Sequence, residues 1–224
     1  VVPLRNVNTR LKVQRRPKAA SRFACRRTPG RKRASTVNRQ SRLFYNLPLD
    51  FQYLSPEISP MVLPYKVATL LYCFNERDEV LLLERSQEPN RGFWSPCGGK
   101  LKMEIGESPY TCAIREAQEE ICVTLAASDL HLAGMVSEHG YQGQTHWLMF
   151  LFEVRKKLSK LPDACHEGRF QFFPRDAIES IKIPQTDREQ IWPWFWKFRG
   201  GFFAAHCHCH PDGRNDWMLE EARA

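Results

Sequence analysis

Apolar residues in this chain cluster into short runs whose periods change along its length. Residues 67–74 (VATLLYCF) and 79–85 (EVLLLER) are rich in β-branched residues and leucine, and only the polar stretch Asn75-Glu76-Arg77-Asp78 separates them. Two such runs around a short polar turn predict a β-hairpin. A glycine- and proline-rich stretch follows over residues 89–106, and the pattern then becomes helical from Pro109 to about Ile121. Ser108 suits an N-cap and Pro109 a first helical turn. Tyr110, Ile114, Ala117 and Ile121 recur at helical spacing and form the expected buried stripe. Residues 130–138 and 145–154 read as strands. In the second, Trp147, Met149 and Leu151 alternate with Leu148, Phe150 and Phe152, so both faces are apolar and the strand should be covered on both sides. A short strand over 170–173 and a short helix over 176–181 come next. Thr186 with Glu189 three residues on spells a capping box for a last helix, with Ile191, Trp194, Phe195 and Phe198 on one stripe and a kink at Pro193.

This order predicts an α/β fold: an α/β/α sandwich around a mixed sheet, with no internal repeat. The chain of 224 residues is long enough for one well-cored domain plus an extension. Three parts are expected: a disordered basic segment and linker over 1–60, the folded domain over 61–203, and a C-terminal tail over 204–224.

Charge sharpens that division. Residues 1–60 hold 14 Lys/Arg and 2 Asp/Glu, whereas residues 61–224 hold 19 and 23. The net charge of +8 therefore comes from the first segment, and the folded part has no bulk charge with which to hold nucleic acid. The first segment is too polar to offset its ordering entropy. It reads as a basic arm for an anionic surface, as a transit peptide, or as sequence outside the native protein. The last is favoured by Met61, just ahead of the first patterned strand. Eight cysteines without a C-x-x-C pair, and no apolar run of membrane-spanning length, point to a reduced, cytoplasmic setting.

Candidate chemistry lies in residues 98–123, GGKLKMEIGESPYTCAIREAQEEICV. Glu116, Glu119 and Glu120 stand at i, i+3 and i+4 and share a helix face. Clustered carboxylates repel, by a few tenths of a kcal/mol per like-charged pair on a helix. A hard divalent cation reverses that sign. Spacing alone allows an ordinary solvated acidic face equally well.

The neighbouring residues resemble the Nudix box, whose pattern runs Gly, five residues, Glu, seven residues, then Arg-Glu-apolar-x-Glu-Glu-x-Gly-apolar. Glu107, Arg115, Glu116, Ala117, Glu119, Glu120 and Val123 match it in type and spacing. The resemblance implies a metal-dependent hydrolase that cuts a diphosphate linkage in a nucleoside di- or triphosphate or a related nucleotide. It implies Mg²⁺ or Mn²⁺ held by Glu116, Glu119 and Glu120, with Gly99 in the metal-binding loop, one of the glutamates helping to deprotonate water, and Arg115 paired with Glu107. The sequence departs from the pattern twice: seven residues separate Gly99 from Glu107, and Cys122 replaces the late glycine. A side chain there is strained by about 1 kcal/mol if φ is positive.

The likeness extends over about residues 65–200. Leu82-Leu83-Glu84-Arg85 with Gly92-Phe93-Trp94-Ser95-Pro96, and His166-Glu167-Gly168 ahead of Phe172-Phe173-Pro174, are similar to MutT-like nucleotide hydrolases. That adds Glu167 as a metal-reaching acid, and oxidised nucleotides as a candidate substrate class. Phe93 and Trp94 are candidates to stack a base, although aromatics beside a sheet are more often core. Cleavage of ADP-ribose or a sugar nucleotide, or nucleotide binding without catalysis, are the rival functions. The tract His206-Cys207-His208-Cys209-His210 carries zinc-type ligands, but an extended chain puts its imidazoles on one side and its thiols on the other, which suits no single tetrahedral site. Cys97 reads as a packing residue, and His139 and Tyr141 fall where a substrate loop could lie.

Overall fold

The computed structural model describes residues 63–224, so the readings for residues 1–60 lie outside the described residues. The strands are β1 (Tyr65–Asn75), β2 (Val80–Arg85), β3 (Trp94–Ser95), β4 (Leu130–Tyr141), β5 (Thr145–Leu158), β6 (Gly168–Phe173), β7 (Phe202–Cys209) and β8 (Asn215–Arg223). The helices are α1 (Pro109–Ile121) and the short α2 (Trp192–Lys197). The eight strands form one mixed sheet in the order β3-β2-β1-β5-β4-β7-β8, with β6 paired to β2. β1 runs parallel to β5, and β4 parallel to β7.

Strand alternation divides the interior in two. Leu71 and Cys73 of β1, with Phe152 and Val154 of β5, pack under Ala113, Ala117 and Ile121 of α1. Tyr72 and Phe74, with Met149 and Leu151, face the other way, onto Trp192 and Phe195 of α2. The sheet is thus covered on both faces, as its two-sided apolar pattern implies. Trp147 and Phe150 fall on the opposite sides that the alternation assigns them.

The runs at 67–74 and 79–85 are strands, but not a laddered hairpin. Their antiparallel pairing is confined to the turn, where Phe74 pairs with Val80 and Asn75 N–H donates to the Glu79 carbonyl. β2 ladders instead with β6 over its full length. The edge of β1 that β2 leaves open is filled by residues 97–101: Thr69 N–H donates to the Gly99 carbonyl, Leu71 N–H to Cys97 and Leu101 N–H to Val67, at 2.8, 2.8 and 3.0 Å.

Three further expectations are corrected. Residues 204–224 are no tail: β7 pairs with β4, and β8 with β7. The helix expected over 176–181 shrinks to the 3-10 turn Arg175–Ala177. The carbonyls of Glu179 and Ile181 accept from the Arg188 guanidinium. The capping box at Thr186 does not form, because Thr186 is itself helical and its side chain caps nothing. Glu189 accepts instead from Gln185, Asn215 and Trp217, which ties the helix approach to β8. A π turn over Asp187–Ile191 leads into α2, where Pro193 lies in the first turn and needs no donor. The chain therefore changes helical register just ahead of Pro193.

Phe195 is the keystone of the second core. Its ring stacks on Tyr72 at 4.1 Å between centroids and meets Trp192 edge-on at 5.7 Å. Replacing it with alanine should cost about 3–5 kcal/mol. Urea denaturation should show this as a lower midpoint with an unchanged slope.

Candidate active site

α1 begins where its sequence says. The Ser108 hydroxyl accepts from Thr111 N–H at 3.1 Å, and Pro109 follows. It ends on Cys122 at φ 54°, so the non-glycine residue does adopt the left-handed conformation. The buried stripe is shifted from the one expected. Ala113, Ala117 and Ile121 are buried, whereas Tyr110 is exposed and Ile114 only half-buried. The rotation carries Glu116 and Glu120 inward, to 8% and 5% exposure, and leaves Glu119 in solvent. The three acids therefore do not share one environment.

Arg115 organises the cluster. Its Nε and Nη2 grip the two oxygens of Glu107 at 2.8 and 2.9 Å, a bidentate fork. Its Nη1 donates to Glu116 Oε1 at 2.6 Å and to Glu119 Oε2 at 2.9 Å. The guanidinium, aided by Lys102 N–H, holds the Glu107 carboxyl down to about 2. The two extra loop residues do not displace the glycines. The segment Met103–Ile105 coils into an outward 3-10 turn closed by left-handed Gly106, and Met103 and Ile105 project into solvent.

Gly98 is sterically required by backbone at φ 137°, and Gly99 leaves the space that the Glu116 carboxylate occupies. A Cβ on Gly98 would lie 2.2 Å from the Thr69 carbonyl oxygen, and one on Gly99 2.1 Å from Glu116 Oε1. Gly98 N–H donates to Glu120 Oε2 at 2.8 Å, while Glu120 Oε1 is buried with no protein partner. Burial, opposed by that Gly98 bond and reinforced by the Glu167 and Glu116 charges, pushes the Glu120 carboxyl up to about 8. Burial also raises Glu116. Glu167, from the loop ahead of β6, lies 3.9 Å from the Arg85 guanidinium.

These acids fit a hard cation. The donors are all oxygen, they repel one another, and an orphaned oxygen points to a missing partner. As the side chains stand among the described residues, no three acids, histidines or cysteines converge on one point. Arg115 and Gly98 occupy the oxygens instead.

Glu116 and Glu167 open onto a cavity of about 340 Å³. Gly99, Glu116 and Glu167 line it, as do Lys100, Arg85, Asn90, Tyr141, Trp147 and Met149. Glu107, Glu119 and Glu120 lie outside this lining: Arg115 joins the first two to Glu116, and Gly98 N–H joins Glu120 to the wall. Trp94 is corrected to a core residue: it is buried edge-on against Phe173 at 4.8 Å. Phe93 faces a separate hollow, under the Lys182 ammonium at 4.3 Å. Sequence reasoning missed Glu138 and Asp187, both buried in the cavity wall. Glu138 had a legible signal, since it keeps the inward phase of Val136 in an apolar strand. Asp187 was obscured by the apparent capping box.

Cys97 is a packing residue. Cys73 beside it and burial push its thiol well up. The His/Cys tract alternates as expected. His206 bonds Ser137 at 2.7 Å and His208 stacks on His210, while the Cys207 and Cys209 sulfurs meet at 3.7 Å on the other side. His139 belongs with these imidazoles, 4.5 Å from His208 and 4.6 Å from His146, and not with the cavity. Tyr141 does reach the cavity.

The Glu107–Arg115 fork sets a pH dependence. The folded carboxyl titrates at about 2 and the free one at 4.5. Its stabilisation is therefore complete above about pH 4.5 and lost as pH falls through 2. Glu107→Gln should cost about 1 kcal/mol at neutral pH after solvent screening. Thermal melts of the variant and the parent should converge across that acidic window.

The family model for the NUDIX domain matches residues 64–195. An uncharacterized Nudix hydrolase of Bacillus subtilis (strain 168), YvcI, is 31% identical over 111 residues, which are 49% of this chain and 67% of that protein. Among solved structures, the MutT protein from Bacillus halodurans aligns with a TM-score of 0.55 at 23% identity, covering 69% of this chain and 97% of its own. MutT from Methanosarcina mazei Go1 gives 0.53 at 22%, covering 62% and 99%. These two share the fold. With the Arg115-centred carboxylate cluster in place on that fold, and the family model covering most of the described domain, the chain belongs to the Nudix hydrolases.

Proposed function

We propose that this protein hydrolyses a diphosphate linkage in a nucleoside di- or triphosphate, with Mg²⁺ or Mn²⁺ as cofactor. The observation that carries the reading is the buried pair Glu116 and Glu120: Glu116 lines a nucleotide-sized cavity, and Glu120, with its orphaned oxygen, is held by Gly98 of the same wall. Glu116, Glu120 and Glu167 would hold the cation, with Glu119 next to them at the solvent edge. A divalent cation there supplies charge neutralisation for the phosphate oxygens and a more acidic water.

The rest falls to the chain. Arg115 fixes the Glu116 rotamer and keeps Glu119 within reach. Gly98 N–H orients Glu120, so that one oxygen is free to act. Gly99 leaves the space that the Glu116 carboxylate occupies. Lys100 and Arg85 put positive charge on the cavity wall where phosphates would lie. A carboxylate left without a cation partner is positioned to take the proton of an attacking water. A small-molecule nucleotide is thus the expected partner. A reducing, cytoplasmic setting is supported by the seven described cysteines, all of them free. No helix among the described residues is long and apolar enough to cross a membrane.

The experiment is phosphate and pyrophosphate release from a panel of nucleoside di- and triphosphates, oxidised nucleotides, ADP-ribose and sugar nucleotides. Chelation should abolish turnover, and Mg²⁺ or Mn²⁺ should restore it. Glu120→Gln keeps an acceptor for Gly98 N–H, so the fold should survive. Its kcat should drop by about two orders of magnitude or more, given the several kcal/mol that metal-held charge contributes. Unchanged turnover would remove Glu120 from the site, and no turnover of any panel member would end the hydrolase reading.

A further inference from the structure

The imidazoles of residues 206–210 are a feature that hydrolysis does not use. Within the tract they alternate with thiols, so the strand alone offers no single site. The fold changes that by laying β4 parallel to β7, with His139 in register with His208. Their ring centres are 4.5 Å apart, and His208 lies 4.3 Å from His210. On the far side of His139, His146 of β5 stacks at 4.6 Å. Asp216 of β8 pairs with His208 across the ladder, and its Oδ2 meets His210 Nε2 at 2.7 Å. Three strands thus supply imidazoles to one patch, and a fourth supplies a carboxylate.

We infer that His139, His208 and His210 form a second metal site, separate from the carboxylate centre, for a borderline divalent cation such as Zn²⁺. The donor chemistry sets the class: imidazole nitrogen suits zinc and its neighbours, whereas Mg²⁺ and Ca²⁺ take oxygen. Imidazoles that share one zinc, each nitrogen about 2.0–2.1 Å from it, have ring centres roughly 4.5–5.5 Å apart. The two measured separations in the set are close to that spacing. The hydrogen bonds then choose among the rings. The bond from His210, against desolvation and aided by the Arg214 charge, holds the Asp216 carboxyl below its usual range, so it accepts and His210 Nε2 carries the proton. That leaves Nδ1 of His210 for the cation, with a carboxylate behind the ring to raise its basicity. His146 is excluded by the same reasoning. Its Nδ1 accepts from Gly140 N–H at 3.0 Å, so the proton of the neutral ring sits on Nε2 and no lone pair is left. His206, bonded through Nδ1 to Ser137 at 2.7 Å, flanks the set.

As the rings stand, no three donors among the described residues converge on one point. His208 lies face to face with His210 at 7°, and His139 stands edge-on to His208 at 77°. Convergence requires the His139 and His208 rings to turn. Both side chains are exposed, and neither is hydrogen-bonded among the described residues. Desolvation, then the charges of His146, His208, His206 and His210, hold the His139 imidazole below its usual range, which favours the neutral form a metal needs. Three protein ligands leave a fourth position to water. A cation so held ties β4 to the β7–β8 hairpin, and because the site exists only in the folded chain, binding stabilises the fold.

The test is titration of Zn²⁺ into the full, untagged chain by calorimetry, with excess Mg²⁺ present to occupy oxygen sites, alongside thermal melts. One zinc per chain should bind, and the melting midpoint should rise as it does. His139→Gln and His208→Gln should each weaken binding by about tenfold or more, since even a group behind a metal ligand is worth that. Asp216→Ala should weaken it by about tenfold. Both imidazoles are exposed, so the two glutamine variants should melt like the parent in chelator. Cys209→Ser should leave the affinity unchanged, and Co²⁺ bound in place of zinc should show no thiolate-to-metal charge-transfer band. No zinc bound in excess Mg²⁺, or full affinity in His139→Gln or His208→Gln, would overturn the inference. A thiolate band that vanishes in Cys209→Ser would also overturn it, by moving the metal to the sulfur side of β7. Glu120→Gln should retain the zinc affinity, so the outcome is read independently of the hydrolase reading.

Discussion

The pairing of residues 97–101 with the edge of β1 is the constraint on which the site depends. β2 pairs with β1 only at the turn that joins them and ladders with β6. Unpaired backbone amides inside a sheet would cost more than most side-chain interactions supply. The segment satisfies them, and Gly98 permits the approach because a side chain there would strike the Thr69 carbonyl. The same contact fixes the catalytic-site wall. Gly98 N–H reaches Glu120, and the Glu116 carboxylate fills the space beside Gly99. Closing the sheet and placing the acids are one event.

Electrostatics then divides the cavity. At one wall Arg115 offsets the charge of Glu107, Glu116 and Glu119, while Glu120 remains unneutralised. At the other, Glu138 and Asp187 have no cation at all. Glu120, Glu138 and Asp187 each cost stability, because burial penalises the charged form. Lys100 and Arg85 bring positive charge to the same cavity.

The C-terminal strands belong to this arrangement although they lie beyond residue 195, where the family match stops. β7 extends the sheet beside β4, the strand that carries Glu138. From β8, Asn215 and Trp217 bind Glu189, two residues after Asp187. The hairpin thus supports both segments that bear the second acid pair.

The sequence by itself determined the parts set by local rules. Ser108 and Pro109 start α1, the alternation in β5 predicts two covered faces, and the spacing of Glu107, Arg115, Glu116, Glu119 and Glu120 resembles a known box. Helical spacing, caps and strand period are all local. What needed the tertiary structure were the choices between partners that local rules leave equal. β2 could pair with β1 or β6, and Trp94 could stack a ligand or Phe173. Glu189 could cap its own helix or bind β8. The rotation of α1 that buries Glu116 and Glu120 but exposes Glu119 follows from how Ala113 and Ala117 seat on the sheet, not from the helical period alone. The candidate active site was therefore half legible. Its carboxylates are a short-range pattern, whereas the cavity they face is assembled from segments more than a hundred residues apart.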